Sequence, residues 1–220
     1  MYTSYAMSLF QASAKTGINK KTQQMLRDRA KKVMDSGMAI ANQFPPASTQ
    51  RQFYLLGTIE GYKIAGMKAE EQAQIKAVDP NLKALESNNN LPPQEIMQVA
   101  MTLVQMSGLY CPAPAFRAAR MMQPFQVVPD GSPGKPQTVK ASDFKNAEAY
   151  QLRALAMYNK LREGDPTRIE AQRAIVHWYH LYGQTKQEEF QTQQLSKLMH
   201  TTDRDKLFPQ PAPCPACGMG

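Results

Sequence analysis

Cysteine and histidine, which disulfide, metal and thiol chemistry most often use, are scarce: the chain has three of each in 220 residues. With so few cysteines we expect no disulfide framework and a reducing compartment. No apolar run approaches the roughly 18 residues that a membrane-spanning helix needs, and the N-terminal segment lacks the apolar centre of a secretory signal. The sequence thus predicts a chain without a transmembrane segment, located in the cytoplasm, or in an assembly on the cytoplasmic side of a membrane or in a virion.

Recognisable catalytic motifs are also missing. The sequence has no GxxxxGKS/T phosphate-binding loop, no GxGxxG dinucleotide loop, no GxSxG nucleophile turn and no HExxH zinc motif. Its acidic pairs, Glu70 with Glu71 and Glu188 with Glu189, fall in polar segments and are typical of solvated helix faces. We therefore expect a protein that is not an enzyme and needs no cofactor. If it binds a cofactor at all, zinc is the candidate.

Acidic residues are nearly absent from the first 34 positions, where seven Lys or Arg residues are opposed only by Asp28. The remainder of the chain is close to neutral, so the net charge of +8 is largely a property of this region. Apolar residues recur there at helical spacing, through Leu26, Ala30 and Met34. At about 100° per residue, the opposite arc of that helix forms a basic face, which consists of Lys20, Lys21, Arg27, Lys31 and Lys32.

This basic face permits three functional interpretations. Nucleic acid phosphates would favour it, although no known DNA-binding motif surrounds it and no aromatic residue interrupts it. An anionic membrane would also attract it, but the apolar residues across the helix are small, so peripheral membrane contact is not expected. An acidic partner protein is the third interpretation. The alternative to all three is an ordinary solvated helix surface.

A second helix is predicted to begin after Ser48, a good N-cap, and to continue to Ile75. Within it, Gly57, Gly61 and Ala65 recur at every fourth position and form a smooth groove on one face. Because each glycine costs a helix about 1 kcal/mol relative to alanine, we expect another helix to approach this groove closely. A groove that accepts a partner protein is the alternative.

Three further helices joined by tight turns are predicted in the C-terminal part of the chain. Ser142 is the predicted N-cap of the first, and Asp165 of the second. Gly183 ends the second helix, and Thr185 with Glu188 forms a capping-box pattern for the third. Antiparallel helices with such short turns are typical of bundles and stacked helical hairpins.

Composition divides the chain into four segments. The N-terminal helical region covers 1–123 and includes the basic first helix, whereas 124–141 is rich in Pro and Gly and predicts an ordered loop or a small β-hairpin. Helical hairpins follow at 142–202, and a Pro-rich tail at 203–220. The predicted fold is therefore mainly α, a helical bundle or stacked helical hairpins.

One metal site is suggested at the end of that tail, in the sequence CPACG. Its two cysteines have the spacing of a zinc knuckle, which supplies two of the four ligands that zinc requires. On the second of the three predicted C-terminal helices, two histidines lie at positions i and i+3 and so share a surface. The predicted Cys₂His₂ set is Cys214, Cys217, His177 and His180. Completion by His200, by another chain, or no metal at all are the alternatives.

These observations favour a non-enzymatic helical subunit that binds other proteins within a larger bacterial or phage assembly, as an adaptor, a scaffold or a component of a secretion-type complex. The missing catalytic motifs, the helical hairpins, the glycine groove and the Pro-rich tail support this hypothesis. A nucleic-acid-associated protein that uses the basic face is the first alternative. A metal-dependent protein with a Cys/His zinc site is the second.

Overall fold

The computed structural model of the chain describes residues 2–45, 48–111 and 138–209. These residues form nine α-helices and no β-strand, so the prediction of a mainly α fold is confirmed for this part of the chain. In order the helices are α1 (Tyr2–Ser13), α2 (Lys20–Ala41), α3 (Thr49–Ile64), α4 (Lys68–Ser87), α5 (Pro93–Tyr110), α6 (Ala141–Tyr158), α7 (Pro166–Leu181), α8 (Thr185–Met199) and α9 (Arg204–Leu207). Among these residues no helix combines the length and the apolar character needed to cross a membrane.

The helices fall into two compact units, Met1–Leu109 and Tyr110–Gly220. In the first unit, α1 and α3 both pack on α2, α1 also contacts α3, and α3 packs on α4. In the second unit, α7 packs on both α6 and α8, and the short α9 contacts α8. In the first unit α3 therefore contacts three other helices, α1, α2 and α4. In the second unit α7 lies between α6 and α8 in its contacts.

One hydrophobic cluster of the first unit forms where apolar residues of three helices meet. Its buried members come from α1, α2 and α3, namely Ala6, Leu9, Phe10, Ala30, Met34 and Tyr62. The α2 contribution follows from spacing, because Ala30, Met34, Gly37 and Ala41 recur at three or four residues and are all buried. This burial fixes which face of α2 points inward, and therefore which face remains outside.

The helix starts of the first unit agree with the local sequence. Asn19 caps α2, with its side-chain oxygen accepting from the Thr22 backbone N–H at 2.8 Å. Ser48 caps α3 as predicted, accepting from the Arg51 N–H at 3.2 Å. Side-chain acceptors at these positions satisfy backbone donors that have no partner within the helix.

The predicted length of the second helix is wrong, because a turn at Gly66 divides it into α3 and α4. Gly66 has φ of +69°, a left-handed conformation that glycine adopts without the steric cost that a side chain adds. The next amide, of Met67, returns to the Tyr62 carbonyl at 2.9 Å and closes the helix end. The helical pattern of the sequence runs through this turn, whereas the backbone leaves helical geometry at Gly66.

In the second unit, aromatic stacking joins α6 to α7. Phe144 of α6 stacks on Trp178 of α7 with ring centroids 4.9 Å apart, and its ring meets Tyr182 edge-on. The surrounding cluster is buried and includes Cys111, Ala147, Ile175 and Tyr179. Aromatic pairs of this kind add about 0.5–1.5 kcal/mol beyond the area they bury.

Helices α7 and α8 form a hairpin with a very short turn. Gly183 has φ of +65° and ends α7 as predicted, with its N–H donating to the His180 carbonyl at 3.0 Å. Between the two helices, the buried Gln172 amide donates to both the backbone and the side-chain oxygen of Gln191, at 3.0 and 2.8 Å. This pair satisfies polar groups that would otherwise be buried without partners.

Two of the three predicted caps in this unit are wrong. Asp165 does cap α7, accepting from the Thr167 N–H at 2.8 Å. Helix α6, however, begins at Ala141 after Lys140 rather than after Ser142, so Ser142 lies inside the first turn and not at the N-cap position. Helix α8 begins directly at Thr185 with Gln184 before it, and the cap position makes no side-chain hydrogen bond.

Two predicted segments lie mostly outside the described residues. Of the predicted loop or hairpin at 124–141, only 138–141 are described, and they comprise irregular backbone and the first residue of α6. Of the tail at 203–220, residues 203–209 are described, and they contain α9. The four-segment division of the chain stays a prediction.

Candidate functional site

The outer surface of α2 carries the basic face. All five of its members, Lys20, Lys21, Arg27, Lys31 and Lys32, are exposed, while the opposite side of the helix is buried against α1 and α3. The amphipathic pattern therefore gives a positively charged strip on a helix of about six turns, Lys20–Ala41, with its cations between Lys20 and Lys32. This surface is the strongest candidate for a binding site in the described part of the chain.

The cations of the basic face are not neutralised within the described residues. None of the five forms an ion pair there, and the nearest acid in sequence, Asp28, instead accepts a hydrogen bond from the Gln24 side chain at 2.8 Å. Asp28 and Asp35 do lie on the exposed side of α2 and reduce its net charge. The surface nevertheless remains positive, since α2 contains six Lys or Arg residues against these two acids.

The N-terminal turn of α2 adds to this positive potential. It holds Lys20 and Lys21 and no acidic residue, although the partial positive charge of a helix N-terminus favours acids there by about 0.3–1 kcal/mol each. The two lysines thus oppose the helix dipole instead of complementing it. Local helix stability does not explain their presence.

An aromatic residue beside the basic helix was missed in the sequence. Tyr5 of α1 is 45% exposed, and its ring lies under the Arg29 guanidinium, 5.8 Å from the carbon of that group. One turn before Arg29 on α2 is Met25, which is 60% exposed. Tyr5 could be found only by recognising α1 as a helix, in which Tyr5 immediately precedes the buried Ala6 and lies four residues before Leu9.

The central residue of the predicted glycine groove, Gly61, faces α2. Gly61 is buried, and a Cβ built on it would lie 2.8 Å from the Met34 methyl carbon. Ala65, just after the helix, packs partly buried against the same core, and Gly57 is half-buried. At Gly61 the space is thus occupied by a side chain of this same chain.

The two histidines of the predicted zinc set lie on α7, one half-buried and one exposed. The ring centroids of His177 and His180 are 6.5 Å apart, and His180 Nδ1 lies 3.1 Å from a Glu188 carboxylate oxygen on α8. Burial lowers the pKa of His177, the neighbouring His180 lowers it further, and Glu188 opposes both effects. The contact between His180 and Glu188 links α7 to α8 at the surface.

The zinc site stays a prediction, since Cys214 and Cys217 lie outside the described residues. Within the described ranges, no group of three or more His, Cys, Asp or Glu side chains is arranged to hold a metal ion. Any zinc bound by His177 and His180 would therefore need ligands from the tail or from another chain.

Thiol chemistry at the remaining cysteine is disfavoured by its surroundings. Cys111 is buried in the aromatic cluster, where the Tyr182 hydroxyl donates a hydrogen bond to it. Burial raises the pKa of its thiol, and Asp143 raises it further. Because the thiolate is the nucleophilic form, Cys111 is expected to be inert at neutral pH.

What the described residues offer chemically is thus a positively charged helix surface with an aromatic and an apolar side chain at its edge. No protein family, no curated protein and no solved structure matches the chain significantly in sequence or in fold.

Proposed function

We propose that this protein is a non-enzymatic, helical protein-interaction subunit, and that it docks onto an acidic partner protein through the basic face of α2. The observation that supports this proposal is a set of five exposed Lys and Arg residues on one helix, none in an ion pair within the described residues. An adaptor, scaffold or secretion-type component of a larger bacterial or phage assembly is the role that such a subunit would have.

Energetics favour a binding role over an ordinary solvated face. Arg27 and Lys31 are four residues apart, and such like-charged neighbours destabilise a helix by about 0.2–0.5 kcal/mol. Lys20 and Lys21 add the unfavourable dipole interaction of the first turn. Asp28 and Asp35, at i+4 spacing to Lys32 and Lys31, offset part of these costs. Carboxylates from a partner would relieve the remainder, so binding benefits from this charge distribution.

A nucleic-acid partner is the alternative, and one observation favours it. Tyr5 beside Arg29 places an aromatic ring next to the cations. Proteins that bind single-stranded nucleic acids use this combination of side chains. The two proposals predict different responses to nuclease treatment and to salt.

The experiment compares two variants that lose the same charge at different places. The first carries Lys20→Gln, Lys31→Gln and Lys32→Gln on the basic face. The matched control carries Lys68→Gln, Lys76→Gln and Lys145→Gln, three exposed lysines on α4 and α6. Both are used, with the unmodified chain, to capture proteins from lysate of the source cells with and without nuclease treatment. Captured proteins are identified by mass spectrometry, purified and titrated by calorimetry.

The proposal predicts an acidic protein that binds the unmodified chain and the control equally, and the basic-face variant at least about tenfold more weakly. Equal binding of all three chains would exclude the basic face as the docking surface. Capture that disappears after nuclease treatment would favour the nucleic-acid alternative.

A further inference from the structure

One edge of the basic face carries an apolar side chain that charge alone does not explain. Met25 is the most exposed of the large hydrophobic side chains in the described residues, at 60%. It lies four residues after Lys21, four before Arg29 and seven before Lys32, all of which are exposed. Residues at these spacings share one surface of a helix, so three cations lie near one exposed thioether. The exposed Asp28, three residues after Met25, is the one acid at such a spacing, and the surface keeps a net positive charge.

Helix α1 extends this surface. The Tyr5 ring lies beneath Arg29, which brings a second large, partly exposed apolar side chain next to the α2 surface. We call the set Tyr5, Lys21, Met25, Arg29 and Lys32 the Met25 patch. It combines two apolar groups from two helices with three cations from one.

The chemistry of the Met25 patch decides among its potential partners. A nucleic acid would pair with the cations and could stack a base on Tyr5, but neither interaction uses the exposed Met25 side chain. A membrane-bound helix needs a continuous apolar face, whereas the residues around Met25 on α2 are charged or polar. A protein segment that carries carboxylates beside an apolar side chain fits both components.

We propose that the Met25 patch recognises an acidic protein segment with an apolar anchor residue. The anchor packs on Met25 and the exposed part of Tyr5, and the flanking carboxylates pair with Lys21, Arg29 and Lys32. Methionine suits this role because its unbranched, polarizable side chain adapts to partners of different shape. This inference rests on the proposed function and specifies which kind of acidic partner the basic face accepts.

The test uses two synthetic, fluorescently labelled peptides of equal length and equal negative charge. One has leucine between glutamates, and the other has alanine in place of that leucine. Affinities of the unmodified chain are measured by fluorescence anisotropy at low ionic strength, where screening of exposed charges is weakest. The leucine peptide is expected to bind about five- to tenfold more tightly, because it buries apolar surface that alanine lacks.

Two variants isolate the apolar contribution. Met25→Gln should reduce or abolish the preference for the leucine peptide, because it weakens binding of that peptide more than binding of the alanine peptide. Met101→Gln is the matched control, since Met101 is also an exposed methionine, 48% exposed on α5, and should retain the preference. Circular dichroism of both variants checks that their helix content is unchanged.

The possible outcomes distinguish failure of this inference alone from failure of the proposed function as well. If both peptides bind equally and Met25→Gln changes nothing, the inference is overturned while an electrostatic docking surface stands. If neither peptide binds, both proposals fail. An oligothymidylate of the same length that binds more tightly than either peptide would overturn the inference in favour of nucleic acid.

Discussion

At the scale of single residues, the contact between Gly61 and Met34 shows how two helices approach. A Cβ at position 61 would lie 2.8 Å from Met34 Cε and 3.0 Å from its Sδ. Those atoms are the flexible end of a buried side chain, which can rotate by a limited amount. Small additions at this position are therefore tolerated, whereas large ones must separate the helices.

Gly61→Ala should change the free energy of unfolding by less than about 1 kcal/mol, because the gain in helix propensity offsets displacement of the Met34 methyl group. Gly61→Leu should destabilise by about 1–3 kcal/mol through overpacking. Urea denaturation measures both. Gly108→Ala is the control, since nothing lies within 4 Å of a Cβ there, and it should stabilise α5 by up to about 1 kcal/mol. A Gly61→Leu variant as stable as the unmodified chain would contradict the close packing.

His177 is a second residue with a testable consequence. Its pKa is lowered in the folded protein, chiefly by burial, so the unfolded chain binds a proton more readily than the folded one. Above the ordinary histidine pKa of about 6.5, His177 is neutral in both the folded and the unfolded state, so its titration costs no stability there. As the pH falls through that value toward the lowered pKa, stability is lost progressively.

Urea denaturation at about pH 7.5 and about pH 5.5, on either side of the ordinary pKa, should thus show a loss of stability that His177→Gln reduces. The control is His200→Asn, at an exposed left-handed position that asparagine tolerates. An equal loss in His177→Gln and the unmodified chain would show that other groups cause the pH dependence.

At the scale of the helix, α2 is a compromise between stability and charge. Lys21→Glu should raise the free energy of unfolding by about 0.3–1 kcal/mol, because it places an acid where the helix dipole favours one. The same change should weaken binding of the acidic peptides described above. Stability and binding are thus expected to change in opposite directions, which thermal denaturation and anisotropy would detect together.

Lys76→Glu is the matched control for this charge reversal. It is exposed on α4 but lies beyond the first turn of that helix, so it should give no such stabilisation and leave peptide binding nearly unchanged. If Lys21→Glu destabilised α2, the lysines of the first turn would have a structural role that the capping geometry does not indicate.

At the scale of the whole molecule, the net charge of +8 is unevenly distributed. A cation-exchange surface responds to clustered charge more strongly than to net charge. The basic-face variant with Lys20, Lys31 and Lys32 changed to Gln should therefore elute from a cation exchanger at lower salt than the Lys68, Lys76 and Lys145 control. The two variants have equal net charge, so coincident elution would refute the idea that the basic face dominates the electrostatic surface.

The sequence by itself determined the features that depend on neighbours along the chain. Helical spacing of Ala30 and Met34 predicted the inward face of α2 and, with it, the exposure of the basic face. Capping chemistry located the starts of α3 and α7 at Ser48 and Asp165. These signals are local because one turn of helix involves only about four consecutive residues.

Only the tertiary structure decided what depends on residues distant in sequence. The position of Tyr5 beneath Arg29 and the stacking of Phe144 on Trp178 each follow from packing between helices. Burial of a whole side chain is worth about 1.5–3 kcal/mol, more than most single caps or propensities, so packing prevails where the two disagree. The basic face could therefore be predicted from one helix, whereas the Met25 patch required the second helix to be in place.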